Sequence, residues 1–551
     1  MHQYSYITFV GSYITRKSTG FKSSTYLYTL EEMKERKPKK KKRKEKLRIS
    51  SSTMGSKSMP SQANQLHFIL FPHMAQGHMI PMVDIAKLLA RRGALITIFT
   101  TPLNASRFKT VLSRATESGL RIRLILLKFP CEEVGLPLDC ENCDLVPSPN
   151  YFINFITAIY MLHKPVEDIV KELTPPPNCM IADMCLPWTI EVARMLGIPR
   201  ISFHGLGCFC LLCLHSIRTS KIYDKMDSDS DYFVLPDLPD QIEMTKPQLP
   251  GSLLSTSSDF TRKLVAADLE SYGVIANTFE ELEPEYAKEY KKAKNGKVWC
   301  VGPVSLSNKE ELDKAERGNK SSVDEQQCLK WLDSWEPGSV VYVCLGSLCN
   351  LREPHLKELG LGLEASNKPF IWVIRGGSNI VLEELNKWIE EDGFEERIKS
   401  RGLLIRGWAP QLLILSHPSV GGFLTHCGWN SVLEGISAGV SMVTWPLFED
   451  QFLNEKLVTQ ILKIGVRVGV EVPFAIGEED KIGVLVKKED VERAIEELMN
   501  EGKESKERRE RARKLGLIAK RAVEEGGSSD INMSSFIQEI MQLATDKSSK
   551  E

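Results

Sequence analysis

No stretch of this sequence is apolar for long enough to cross a bilayer: LGCFCLLCL (206–214) is about half of the roughly 20 residues a membrane helix requires. The opening residues, MHQYSYITFVGSYITRK, lack a sustained apolar core and a small-residue cleavage pattern, so no secretory signal is read there. A disulfide framework is missing as well. The thirteen cysteines are odd in number and irregularly spaced, which points to free thiols in a reducing compartment and hence to the cytoplasm. Cys140 and Cys143 have CxxC spacing, but no second pair lies at zinc distance and no strand-to-helix pattern follows, so they read as loop thiols. HExxH and Walker A motifs are absent, and with them the chemistries those patterns carry. There is no repeat of solenoid period.

Net charge is close to balanced, at −1 over 551 residues, but it is unevenly spread. Residues 1–60 hold fifteen Lys/Arg against four Asp/Glu, mostly in KERKPKKKKRKEKLR (34–48). Such a block repels itself, and the segment is expected to be a disordered basic extension. A solvated tail upstream of a working start at Met54 or Met59 is one reading; a nuclear-localisation or nucleic-acid patch is the other. No nucleic-acid binding is expected of the remaining chain.

At this length two domains are expected, with ordinary globular composition (42 % hydrophobic, 26 % charged). From Leu66 the texture changes. LHFILF (66–71) reads as a buried strand, IPMVDIAKLLARRG (80–93) as an amphipathic helix ended by Gly93, and ALITIFT (94–100) as the next strand. This is a βαβ unit, and NCMIAD (178–183), the helical 186–197 and PRISFHG (199–205) repeat it. A polar stretch (301–327) interrupts the pattern, which restarts at SVVYVCLGS (339–347). Strands at 369–375, 402–408, 419–426 and 440–446 follow, with helices at 430–439 and 450–465. The division expected is 61–303, a linker at 304–327, 328–528, and a C-terminal helix with tail at 529–551. Two doubly wound α/β domains across a cleft is the fold inferred.

Between the strand ending near His426 and the helix beginning near Asn430 lies THCGWNS (425–431). A helix start needs one cap, so the histidine, indole, amide and hydroxyl together exceed what structure demands. Ligands in open α/β sheets bind at the carboxyl ends of strands, and helix N-termini offer free N–H groups to anions. Gly428 would admit a diphosphate to the backbone, His426, Asn430 and Ser431 could add donors, and Glu434 could accept from a sugar diol. Spacing alone leaves a plain capped helix equally open.

The flanks narrow this. WAPQLLILSHPSVGGFLTHCGWNSVLEGISAGVSMVTWPLFEDQ (408–451) resembles, end to end, the 44-residue signature box of plant UDP-sugar-dependent glycosyltransferases of family 1. FPHMAQGHMIPM (71–82), DMCLPWT (183–189) and most of the chain from 66 to 545 share the resemblance. It implies a GT-B-type fold of two Rossmann-like domains. It also implies an inverting, metal-independent enzyme that transfers glucose from UDP-glucose to a hydroxyl of a lipophilic small molecule and acts as a monomer with no cofactor. On matching positions, Trp408 would stack on uracil, Ala409 and Gln411 would hold base and ribose, and Glu434 would take the ribose hydroxyls. His426, Asn430, Ser431 and Ser347 would bind the diphosphate, and Asp450 and Gln451 the sugar, with Trp429 close by. Pro410, Cys427, Gly428, Val432, Leu433, Phe448 and Glu449 complete the implied donor site. A terminal Gln accompanies glucose donors in that family. Where the family usually has Pro, this chain has Ser441.

The reaction needs a base, because the acceptor hydroxyl loses a proton as it attacks the anomeric carbon. His78 in QGHMIP sits at a helix start, whose positive dipole end should keep the ring neutral. By residue type alone a helix cap or packed surface group fits equally. The resemblance implies catalysis, with Asp183 orienting the ring and His73 as pocket wall. Aromatic and apolar segments at 129–137, 150–163 and 203–212 suit a flavonoid, triterpenoid or hormone acceptor, or else buried core. Several patterns carry no function here. GLGLEA (360–365) lies inside a helical run, DSDSD (227–231) in a polar loop, and His417 precedes a proline. Two rival classes are a Rossmann-type oxidoreductase, whose fingerprint is missing after 66–71, and a sugar-nucleotide binder without catalysis.

Overall fold

Short runs of β-branched and aromatic residues, each followed by an amphipathic run, build two separate parallel sheets. The computed structural model describes residues 66–226, 228–254, 258–349, 351–375, 379–474 and 483–549. The basic N-terminal extension, with Met54 and Met59, and Asp227 of the acidic loop lie outside the described residues.

The first sheet holds β1 (His67–Phe71), β2 (Leu95–Thr100), β3 (Ile122–Leu126), β4 (Cys179–Asp183), β5 (Arg200–His204), β8 (Gly273–Ala276) and β9 (Val298–Cys300) in the order β3-β2-β1-β4-β5-β8-β9. Between them in sequence, β6 (Phe233–Val234) and β7 (Glu243–Met244) form a small antiparallel ribbon. The second sheet holds β10 (Val340–Cys344), β11 (Phe370–Ile374), β12 (Gly402–Arg406), β13 (Val420–Thr425), β14 (Ser441–Thr444) and β15 (Gly465–Arg467), ordered β12-β11-β10-β13-β14-β15. Every pairing within the two sheets is parallel. Parallel sheets are covered by helices on both faces, which is why HFILF and VVYV are buried at every position. The inferred fold, two doubly wound α/β domains of GT-B type, is the fold observed.

Locally the chain departs from the expected elements in three places. The first helix runs Gln76–Arg91, starting four residues before the expected Ile80. Pro81 sits inside the helix rather than opening it. The linker is built rather than loose: a short turn at Val304–Ser307 and a helix at Glu311–Ala315 bury Ser305, Ser307, Asn308 and Ala315. The helix expected over 450–465 is α-helical only at Gln451–Lys456 and widens to a π-helical turn at Leu457–Ile461.

The last helix, Ser528–Ser548, returns to the first domain. Phe536 packs against Phe68 of β1 and Trp299 of β9, with ring centroids 5.8 and 5.1 Å apart. Glu539 pairs with Lys297 and accepts from Tyr272. Among the described residues no helix is long and apolar enough to cross a membrane.

Candidate active site

In each sheet the strand order reverses once, between β1 and β4 and between β10 and β13. Such switch points open a crevice at the carboxyl ends of the strands. The two crevices face one another across a cavity of about 380 Å³ lined by both domains and by the linker.

On the first domain's side, His78 lies in the first turn of the helix following β1, and Asp183 is the last residue of β4. His78 Nδ1 lies 2.8 Å from Asp183 Oδ2; the imidazole is 32 % exposed to the cleft and the carboxylate fully buried. Burial alone lowers the His78 pKa, but the charge and hydrogen bond of Asp183, with Asp450 further off, carry it above the ordinary value. This corrects the expectation that the helix dipole dominates: a carboxylate in contact outweighs partial charges on the backbone. Burial raises Asp183, yet His78, His73 and the Cys185 N–H at 2.9 Å more than offset this and hold it at about 2. His73 is not pocket wall. It lies buried behind His78, edge to face at 5.1 Å, with its pKa lowered to about 4 by burial, so it is neutral. Among the described residues, His78, Asp183 and Cys185 form a group that could offer ligating atoms to a metal, all within 4.8 Å of one another.

On the second domain's side, the helix Trp429–Ala438 has Gly428 as its N-cap and no side-chain cap bond. Neither Asn430 nor Ser431 caps the helix. Its first N–H groups therefore remain donors for an anion. His426 lies between two glycines: a Cβ on either Gly346 or Gly428 would stand 2.4 Å from its Nε2. Burial lowers its pKa to about 4, so it offers an N–H rather than a charge. Cys427 holds the turn with φ at +65°, in the left-handed region uncommon for a residue with a side chain.

Further along, Gln451 Oε1 accepts from the N–H groups of Leu447 (2.8 Å) and Phe448 (3.2 Å), which leaves its amide nitrogen as the donor toward the cleft. Burial raises Asp450 to about 6 and Glu449 to about 7. Asp450 accepts from Asn454 Nδ2 at 2.7 Å, and Glu449 from Ser252 of the first domain at 2.8 Å. Trp408 carries the Arg375 guanidinium 4.8 Å above its ring. Gln411 Nε2 donates to Glu434 Oε2 (2.8 Å) and Ser431 Oγ (3.2 Å).

The cleft therefore gathers His78, Ser347, Trp408, Ala409, Gln411, His426, Gly428, Trp429, Asn430, Ser431, Glu434 and Phe448 to Gln451. Asp183 reaches it through His78. Pro410, Cys427, Val432 and Leu433, implied by the resemblance, do not line it: all four are buried, and the last two sit on the core side of their helix. Of the aromatic segments, Gly205 and Leu206 reach the cleft, while Phe129, Leu136 and Phe155 fill a core cluster. Met184 and Cys185, within the DMCLPWT run, line the cleft, as do Ser252, Leu253, Arg317 and Arg375, which no sequence pattern marks as site residues. Arg375 could have been found at the carboxyl end of β11; Arg317 gave no signal in a polar linker.

A family model described as UDP-glucoronosyl and UDP-glucosyl transferase matches residues 322–508. UDP-glycosyltransferase 73C6 of Arabidopsis thaliana is 59 % identical over 482 residues, 87 % of this chain and 97 % of its own. This chain belongs to the UDP-glycosyltransferase family. Glycosyltransferase 73C25 of Barbarea vulgaris is likewise 59 % identical, over 88 % of this chain and 98 % of its own. Among solved structures, Glycyrrhiza uralensis UGT73P12 complexed with glycyrrhetinic acid 3-O-monoglucuronide superposes with TM-score 0.79 at 37 % identity, over 88 % of this chain and 97 % of that one. Arabidopsis thaliana UGT89C1 complexed with quercetin gives TM-score 0.65 at 28 % identity, over 86 % and 99 %. This glycosyltransferase acts between a UDP-sugar and a small molecule.

Proposed function

We propose that the enzyme transfers glucose from UDP-glucose to a hydroxyl of a flavonoid, triterpenoid or hormone, with inversion to a β-glucoside. The observation that carries this reading is the His78–Asp183 pair facing the uncapped helix start at 429–431 across one cleft. His78 takes the acceptor proton as the oxygen attacks the anomeric carbon from the side opposite UDP. Asp183 orients the ring and stabilises the imidazolium. Leaving-group charge falls on the N–H groups of the helix start and on His426, Ser431 and Ser347, so this route calls on no metal or cofactor.

Trp408 stacks on uracil, and Glu434 takes the ribose hydroxyls. Asp450 and the Gln451 amide hold the sugar, the terminal Gln supporting glucose. The acceptor lies beside Met184, Cys185, Leu206 and Leu253, whose apolar surfaces suit a bulky ring system. Quercetin and the glycyrrhetinic acid glucuronide in solved relatives support that class. The thirteen unpaired cysteines support a cytoplasmic enzyme.

The test is UDP release from UDP-glucose with a panel of flavonols, triterpenoids and hormones, beside His78→Ala. Acceptor-dependent turnover that vanishes in the variant is the result expected. Donor binding with no acceptor turned over would leave a sugar-nucleotide binder instead.

A further inference from the structure

The linker between the domains is strapped down on both sides of the cleft. On the first domain, Lys87 Nζ donates to Asp313 Oδ2 at 2.7 Å and Arg114 Nη2 to Asp313 Oδ1 at 2.8 Å, while Gln76 Nε2 donates to Asn319 Oδ1 at 2.8 Å. On the second domain, Ser322 N donates to Trp408 O at 2.8 Å, and Trp408 N returns a bond to Ser322 Oγ at 2.9 Å. Between these anchors the chain passes so close to the indole that a Cβ on Gly318 would stand 2.6 Å from Trp408 Cζ2. Gly318 also has φ +97°, so a side chain there is excluded twice.

This path sets Arg317 between two buried carboxylates. Its Nε and Nη2 donate to Asp84 Oδ2 at 3.0 and 2.7 Å, and its Nη1 donates to Glu434 Oε1. The second oxygen of each carboxylate accepts from an amide: Asn308 Nδ2 on Asp84 at 2.9 Å, Gln411 Nε2 on Glu434 at 2.8 Å. Asp84 is 2 % and Glu434 5 % exposed. A carboxylate this buried needs a counter-charge to stay ionised, and one guanidinium serves both. Each oxygen has more than one acceptor site. Glu434 is thus fixed in one orientation by a bond to each oxygen, with acceptor capacity left for a diol.

We propose that Arg317 is a positioning residue for ribose recognition: it holds Glu434 ready for the ribose hydroxyls and, through Asp84, makes that readiness depend on the first domain. The inference rests on the reading of Glu434 as the ribose acceptor. It explains why a polar linker carries an arginine into the cleft. It also gives a nucleotide contact on the second domain a direct link to the helix that bears His78.

The test is calorimetric titration of the full-length enzyme and of Arg317→Ala, Arg317→Lys and Glu434→Gln with UDP and with 2′-deoxy-UDP. Thermal melts confirm that each variant is folded, and the ratio of the two affinities is insensitive to any unfolded fraction. Wild-type enzyme prefers UDP over 2′-deoxy-UDP by about tenfold or more, as a hydrogen bond to a charged group implies. Arg317→Ala loses most of that preference and weakens UDP by about tenfold or more, leaving 2′-deoxy-UDP nearly unchanged. Arg317→Lys restores part of it.

If Glu434→Gln loses the preference and Arg317→Ala keeps it, the role of Arg317 is overturned while the reading of Glu434 stands. If Glu434→Gln keeps it, the reading of Glu434 fails and the proposal falls with it. Tighter UDP binding by Arg317→Ala would also overturn the proposal and make the strap an obstruction.

Discussion

Asn430 Nδ2 donates to the carbonyl of Gly77 at 2.5 Å, joining the helix starts of the two domains across the cleft. Within its own helix that carbonyl would accept from the N–H of residue 81, but residue 81 is proline and has none. The proline thereby leaves an acceptor beside His78 for the other domain. Pro81→Ala supplies the missing N–H and sets it in competition with Asn430. The helix should be no less stable, while kcat/KM falls by about two- to tenfold, the worth of one hydrogen bond. Paired thermal melts and steady-state kinetics check this.

His78→Ala should lower kcat by about 10²–10⁴-fold, the range for loss of a general base. Asp183→Asn tests the cause of the raised His78 pKa. A base at His78, as proposed, would work only as neutral imidazole, so activity in the wild type should rise with pH through its folded-state pKa. Without the Asp183 charge, burial lowers that pKa, so the ascending limb should move to lower pH while the plateau drops. A pH–rate profile in which the limb stays put would show that another group sets it.

Asp450, raised to about 6 by burial, should make donor affinity sensitive to mild acid. In the proposed function its carboxylate would accept sugar hydroxyls; below about pH 6 it is protonated and accepts less well, so KM for the donor should climb as pH falls through that value. Asp450→Asn should have a high KM with this rise removed. Donor titrations from pH 5 to 8 decide it.

Gly428→Ala should cost nucleotide affinity without touching a donor group. The added Cβ would stand 2.4 Å from His426 Nε2, so the ring must leave its place between the glycine backbones. UDP affinity should weaken by about tenfold, as for a lost bond to a charged ligand, with the acceptor KM little changed. Calorimetry with UDP measures it directly.

Ser441 lies buried on β14, and its hydroxyl has no hydrogen-bond partner. An unsatisfied buried hydroxyl costs about 1–3 kcal/mol. Ser441→Ala should therefore stabilise the fold by about 1 kcal/mol, with kinetics unchanged. A denaturant melt showing no gain would indicate that a water satisfies the hydroxyl.

Much of the molecule is legible in its chain. Buried parallel strands are continuous apolar runs, so β1, β4, β10 and β13 can be located from LHFILF, NCMIAD, SVVYVCLGS and SVGGFLTH. His426, at a strand end beside Gly428, is legible for the same reason, whereas His78, Asp183 and Gln451 are singled out only by the family resemblance. The signature box adds roles that no periodicity carries. Burial is not legible residue by residue: Val432 and Leu433 share the box with Asn430 and Ser431 but face the core, because one helix turn presents both sides. Nor is electrostatic context. A helix start alone would put His78 under the dipole, and only the fold brings Asp183, 105 residues away, into contact with it. Arg317 is the clearest case. A charged residue in a polar linker has no local pattern, and only the closing of two domains around it sets its guanidinium between Asp84 and Glu434.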